Sequence, residues 1–178
     1  MKKGGILAGQ SSDLKKVVIY TDGACTGNPG PGGYGTVLLY GEKRRELSAG
    51  YRRTTNNRME IMAVIAGLEV LRYPCDVTIY TDSQYVSNSI SQGWAVRWRA
   101  NGWMRNKKEK AINIDLWIRL LDLCAIHKIQ VVWVKGHAGN PENERCDQLS
   151  VQAAKSKDLL VDEGYENATT DNSEKLLF

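Results

Sequence analysis

The sequence predicts an α/β fold built on a five-stranded mixed sheet, its first three strands antiparallel, flanked by helices. Short apolar runs open the chain with no helix between them, and later runs alternate with helical patterns. One strand-end tetrapeptide also occurs twice, as Ile19-Tyr20-Thr21-Asp22 and Ile79-Tyr80-Thr81-Asp82. Strands joined by tight turns run antiparallel, and strands joined through helices run parallel, so the order βββ-α-β-α-α-β-α requires both kinds of pairing.

Val17 to Tyr20 is a continuous apolar run stopped by Asp22-Gly23, the pattern of a strand buried on both faces. Gly27 to Gly35 holds five glycines and two prolines, which marks a tight connection. Tyr34 to Tyr40 and Arg45 to Tyr51, separated by Gly41-Glu42, form a hairpin. Met59 to Arg72 is helical, nearly apolar all round and capped by Asn56 or Asn57. Val77 to Thr81 is the next strand, Ser83 to Ile90 a short helix, Asn113 to His127 a longer one, and Ile129 to Val134 the last strand. Glu142 to Lys155 closes the fold as a helix. Residues 1–16 and 164–178, polar and without periodicity, read as a disordered N-terminal extension and a flexible C-terminal tail around one globular domain, 17–163.

A chain of 178 residues, 42% hydrophobic and 25% charged, is an ordinary globular composition. No apolar run reaches the ~18 residues of a membrane span, and the start lacks the pattern of a secretory signal, so a cytoplasmic protein with no membrane partner is expected. The four cysteines form no CxxC pair and the two histidines no HExxH frame, which speaks against a zinc site. The net charge of +4 is unevenly placed. Trp94 to Lys110 holds six basic residues against one acid, which suggests a localised polyanion site.

Asp22 and Asp82 each end a buried strand, the edge of an open α/β sheet where ligands bind. Brought together in a partly desolvated cleft they would repel each other unless a cation lay between them. Glu60 stands near the start of an otherwise apolar helix, and Asp147 in the last helix, behind the glycine-hinged run Lys135-Gly136-His137-Ala138-Gly139. A cap or a solvated face would explain either of these alone; the set of acids favours a site. The glycine-rich Gly27 to Gly35 run is not followed by Gly-Lys-Ser/Thr, so nucleotide triphosphate binding is not expected.

These motifs closely resemble bacterial ribonuclease HI, of the type 1 ribonuclease H family. The resemblance runs through Tyr20-Thr21-Asp22-Gly23, Gly27 to Gly35, Thr54-Thr55-Asn56-Asn57-Arg58-Met59-Glu60, Thr81-Asp82-Ser83-Gln84-Tyr85-Val86, Val134-Lys135-Gly136-His137 and Asn143-Glu144-Arg145-Cys146-Asp147. It covers about Val17 to Tyr165. It implies the ribonuclease H-like fold and an endonuclease that cuts the RNA strand of RNA/DNA hybrids, such as primer and R-loop RNA, as a monomer.

On that resemblance Asp22, Glu60, Asp82 and Asp147 are metal-binding catalytic carboxylates and His137 is a mobile catalytic histidine. Two Mg²⁺ ions, with Mn²⁺ as a substitute, suit an all-oxygen donor set and a reaction that must activate water and stabilise a leaving alkoxide to give 3′-hydroxyl and 5′-phosphate ends. Asn28, Asn56, Asn57, Gln84 and Cys25 are expected to read the RNA strand, and Thr55 and Arg58 to hold DNA phosphate. Trp94, Arg97 and Arg99 belong to the basic segment that grips DNA, and Trp117 and Asn143 complete the expected substrate-binding set. A nuclease of the same fold acting on DNA junctions would share the acids but not the 2′-hydroxyl readers. A non-catalytic hybrid binder would gain nothing from four uncompensated carboxylates.

Overall fold

The structure is a computed structural model and describes residues 13–174. The other residues of the expected terminal extensions lie outside it. Five strands form one sheet: β1 (Lys15–Cys25), β2 (Gly30–Tyr40), β3 (Lys43–Thr54), β4 (Cys75–Thr81) and β5 (Lys128–Trp133). Their order is β3-β2-β1-β4-β5, with β1, β2 and β3 antiparallel and β1, β4 and β5 parallel. The helices are α1 (Asn56–Glu69), α2 (Gln84–Ser91), α3 (Trp94–Ala100), α4 (Ile114–Ile126), α5 (Pro141–Ala154) and α6 (Glu163–Glu174).

Side chains alternate across the sheet, so each strand feeds two cores. Val17, Ile19, Leu38, Val77 and Ile79 pack under α1, which is buried almost all round because α4 covers its far side. The opposite face, through Val37, Tyr20 and Leu39, meets Cys146 and Leu149 of α5. No disulfide links the chain: Cys75 and Cys146 are buried, and Cys25 and Cys124 half-buried. His127 is structural, its Nδ1 accepting the Cys75 backbone N–H at 3.2 Å.

The glycine-rich run differs from its expected role as a connection, because Gly30 to Gly35 lie within β2. Their use is close packing. A Cβ on Gly33 would stand 2.6 Å from the Ser150 carbonyl oxygen, and one on Gly35 2.2 Å from that of Cys146. Strand backbone and helix backbone therefore touch directly, and α5 is drawn flat onto the sheet. The basic segment contributes a helix of its own, α3, and then a compact turn held by the Arg105 N–H bonding to the Glu109 carbonyl.

The ends also differ from expectation. Lys15 and Lys16 pair with Cys75 and Asp76 as the first rungs of the parallel ladder. Residues 164–174 of the expected tail, together with Glu163, form α6. Asp162 starts that helix by accepting the Tyr165 N–H through both its carbonyl and its side chain, and Arg52 holds Glu166 through paired bonds of 2.7 and 2.9 Å. Just before it, Leu160 bonds to Gly50 and Arg52, so the chain covers part of the free edge of β3.

Arg58 fastens this closing segment to the core. Its side chain, 4% exposed, bonds Asp162 at 2.7 and 2.8 Å and Asp115, at the start of α4, at 2.7 and 2.9 Å. Burial alone would weaken the guanidinium charge, but the two carboxylates outweigh it and hold its pKa above the ordinary value. Burial pushes Asp115 upward too, and Arg58 overcomes that, holding it below the usual carboxylate range. Arg58 and Asp162 form a buried pair, with Asp115 at its exposed end, and removing the arginine strands the buried Asp162 carboxylate. Arg58→Ala is therefore expected to cost about 3–5 kcal/mol, read as a lowered urea midpoint at unchanged m-value. A loss under about 1 kcal/mol would show that the fork does not hold the fold together.

Candidate active site

The repeated tetrapeptide explains where the acids meet. Parallel pairing sets Tyr20 beside Tyr80 and Thr21 beside Thr81, so Asp22 and Asp82 leave neighbouring strands at the same level. The tyrosine rings stack at 4.8 Å on the sheet face, and the buried Thr21 hydroxyl reaches the Tyr80 carbonyl. Glu60 arrives from α1 because Gly23 has no side chain. A Cβ there would lie 2.4 Å from the Glu60 backbone nitrogen. Ligand oxygens of Asp22, Glu60 and Asp82 consequently lie within 4.8 Å of one another. Asp147, half-buried on α5, stands outside that trio but adds its charge to both aspartates.

The electrostatics show what the cluster lacks. Burial, then the charge of Asp82, pushes Asp22 up to about 8, although Asp22 accepts the Gly23 N–H at 2.8 Å. Burial and both aspartates drive Glu60 well above its ordinary range. Glu60 Oε1 accepts a bond from Asn56, whereas Oε2 is buried without a hydrogen-bond partner. Asp82 is raised as well, chiefly by burial, against an opposing pull from His137. Three carboxylates so placed cannot all be charged at neutral pH without a cation among them. An all-oxygen donor set with an orphaned buried oxygen fits a hard divalent ion.

The loop from β5 to α5 closes over Asp82. Trp133 Nε1 donates to the Asp82 carbonyl at 2.9 Å, and a Cβ on Gly136 would come within 2.7 Å of Asp82 Oδ2. His137 follows, exposed and with a left-handed φ of 54°. Gly136 belongs to the glycine-hinged run and motif legible in the sequence, whereas Trp133 is not, since a tryptophan ending a strand carries no signal of its own.

The expected substrate-binding residues fall into separate groups. Asn28, Thr55 and Asn57 line one pocket of about 350 Å³, joined there by Asn113 and Tyr165, which sequence reasoning missed. Asn28 is fixed by accepting the Asn56 N–H at 2.9 Å. Thr55, not Asn56 or Asn57, caps α1, accepting the Arg58 N–H, which frees the Asn56 side chain for Glu60. Cys25 is half-buried against the Gly30 and Thr54 carbonyls, and Gln84 is exposed at the first position of α2.

Trp94 and Arg97 line a second groove of about 720 Å³ together with Tyr85, Asn101 and Arg105. Arg99 lies outside that lining and pairs with Asp122.

Three residues expected to touch substrate are placed inside the protein instead. Arg58 is committed to Asp115 and Asp162, so it holds α1 and not phosphate. Trp117 is fully buried and donates its Nε1 hydrogen to the Tyr85 hydroxyl, backing the groove without reaching it. Asn143 is 3% exposed on α5.

Because like charges crowd the site, Asp22→Asn is expected to stabilise the metal-free protein by on the order of 1 kcal/mol or more, seen as a higher urea midpoint in a chelator. Equal midpoints would mean that the acids relieve their repulsion some other way.

Comparison with known proteins agrees with this geometry. The RNase H family profile matches residues 14–155. A ribonuclease H of Desulforamulus reducens is 65% identical over 153 residues, 86% of this chain and 96% of that one. Another, from Syntrophus aciditrophicus, is 68% identical over 151 residues, 85% of this chain and 87% of its own. Among solved structures, LC9-RNase H1, a type 1 RNase H with the type 2 active-site motif, superposes with a TM-score of 0.75 at 31% identity, covering 89% of this chain and 82% of that one. LC11-RNase H1, solved in complex with an RNA/DNA hybrid, gives 0.60 at 25% identity over 78% and 96%. With most of its length matched both by the family profile and by bacterial relatives sharing about two residues in three, the chain belongs to the ribonuclease H family and is a ribonuclease H enzyme of the bacterial ribonuclease HI kind.

Proposed function

We propose that the chain is an endonuclease hydrolysing the RNA strand of RNA/DNA hybrids to 3′-hydroxyl and 5′-phosphate ends, with two Mg²⁺ ions held by Asp22, Glu60, Asp82 and Asp147. The observation that carries the reading is the convergence of three buried or half-buried carboxylates, one with an orphaned oxygen, at the carboxyl edge of parallel strands. The hybrid complex of LC11-RNase H1 supports the substrate class. Bound at this cluster, two divalent ions supply activation of water and stabilisation of the leaving alkoxide, and Mn²⁺ has the same preference for oxygen.

The chain's own residues do the rest. Asn28, Thr55, Asn57 and Asn113 form a neutral polar pocket suited to sugar and phosphate oxygens without competing for metal. Asn56 orients Glu60 through its 3.3 Å bond. Cys25 and Gln84 complete the RNA-facing side, and Trp94 and Arg97 offer an aromatic face and a cation to the DNA strand. His137, exposed on its loop beside Asp82, carries a proton to or from the reacting oxygens. The enzyme acts as a monomer in the cytoplasm on primer and R-loop RNA, its catalytic domain spanning residues 17–163. No helix among the described residues is long and apolar enough to cross a membrane.

Labelled hybrid, duplex DNA and duplex RNA incubated with Mg²⁺ should show cleavage of the hybrid alone, and Asp82→Asn should abolish it while hybrid binding is kept or tightened. Cleavage by purified Asp82→Asn protein, or equal cutting of duplex DNA, would overturn the reading. His137→Ala should lower kcat by roughly 10²- to 10⁴-fold with a smaller change in KM, the range for a lost proton carrier. A KM effect at constant kcat would make His137 a binding residue.

A further inference from the structure

The pocket of about 350 Å³ beside the start of α1 has two unlike sides. One is polar and uncharged: Asn28 comes from the chain before β2, Thr55 and Asn57 from the start of α1, and Asn113 from just before α4. Thr55 accepts the Arg58 N–H, which leaves its hydroxyl proton available to donate, and the amides of Asn57 and Asn113 carry donors of their own. The other side is apolar. It is made by Ile112, 59% exposed, and by the half-buried ring of Tyr165.

Tyr165 is delivered to this place from the far end of the chain. Asp162 accepts the Thr54 hydroxyl at 2.6 Å, which fixes the segment next to Thr55. Gly164 lies so close to Asp115, two residues past Asn113, that a Cβ on it would collide with the carboxylate. The start of α6 is thus pinned to both polar walls, and the residue after Gly164 enters the pocket between them. The Tyr165 N–H holds the turn by bonding to the Asp162 carbonyl at 3.0 Å and to its carboxylate at 3.3 Å. A ring is not needed there to fasten the helix. Tyr165 is the one aromatic residue of a polar α6 and is not among the side chains packed on either hydrophobic core.

We infer that Tyr165 is a substrate-binding residue whose ring packs, with Ile112, against a deoxyribose of the DNA strand while Thr55, Asn57 and Asn113 receive the adjoining phosphate. Backbone phosphate oxygens accept hydrogen bonds from neutral side chains as well as from cations, which suits the polar wall. The C2′ methylene of deoxyribose is apolar and suits the other. A 2′-hydroxyl on that sugar would give up water against an aliphatic chain and a ring, so the pocket selects DNA through the group that DNA lacks. Asn57, expected on the RNA strand, then joins Thr55 on the DNA strand. The inference builds on the hybrid-cleaving reading of the site and gives α6 a part in choosing the strand.

Tyr165→Ala should raise KM for hybrid at least about fivefold with a smaller change in kcat, and Tyr165→Phe, which keeps the ring, should recover most of that loss. Tyr165→Glu puts a carboxylate in the first turn of α6, where it suits the helix, and beside the phosphate, where it does not. It should weaken hybrid binding, measured with Ca²⁺ in place of Mg²⁺, more than alanine does. The strand is read with hybrids whose DNA strand carries a single ribonucleotide at successive positions. One position should raise the parent's KM, and Tyr165→Ala should lose that sensitivity. The same ribonucleotide profile in parent and Tyr165→Ala would overturn the proposal, as would an unchanged KM in both Tyr165→Ala and Tyr165→Glu, or a fall in kcat alone. Urea midpoints should stay near the parent's; a large drop shared by Tyr165→Ala and Tyr165→Glu would make the residue structural and overturn it too. With a parent that cuts hybrid, these outcomes remove only the role of Tyr165, whereas a parent that cuts none overturns the hybrid-cleaving reading itself.

Discussion

The contact between β1 and the first turn of α1 at Gly23 is the constraint on which the site depends. A strand and a helix normally keep a layer of side chains between them, and that spacing would leave Glu60 out of reach of Asp22. With no Cβ at residue 23 the helix backbone rests against the strand, and a carboxylate from each arrives at one point. The same device recurs on the other face, where Gly33 and Gly35 let α5 lie flat and bring Asp147 toward the aspartates. Backbone-to-backbone contact, made possible by missing side chains, is thus how one sheet gathers acids from two helices.

Gathering them is costly. Each carboxylate is desolvated and repelled by the others, and the protein offsets this with few local bonds: one N–H to Asp22 and one amide to Glu60. The scaffold around the acids must therefore be stiff. The buried apolar face of α1, the threonine hydroxyl of Thr36 bonded to the Ala63 carbonyl at 2.7 Å, and the Arg58 fork together fix the helix that bears Glu60. Preorganised repulsion of this kind stores affinity for a cation.

The acids were legible in the sequence because two of them share a repeated tetrapeptide, and parallel pairing turns an identical strand into an identical register. The sheet's mixed topology followed from element order. The residues misread were those whose type suits two environments. Glycines in β2 look like turn residues, since the helix that demands them is over a hundred residues away in sequence. Arg58 and Trp117 look like ligands for nucleic acid, yet an arginine can be buried when two carboxylates meet it, as Asp115 and Asp162 do. Polar α6 has no apolar stripe, and it is held by caps and by the Arg52 to Glu166 pair, which pattern alone does not reveal. Tyr165 entered a pocket of the site by the same route.

The Arg58 fork has a consequence in time as well as in space. Its partner Asp162 lies 104 residues further along the chain. A ribosome adding residues at about 5–20 per second reaches that position several seconds after α1 has been made. Throughout that interval the helix carrying Glu60 lacks one of its two acidic anchors, and the site's donor set is still short of Asp147. The emerging chain thus carries its basic segment, Trp94 to Lys110, before it carries the complete set of carboxylates. Competence arrives last, when the segment that ends the domain also locks its first helix.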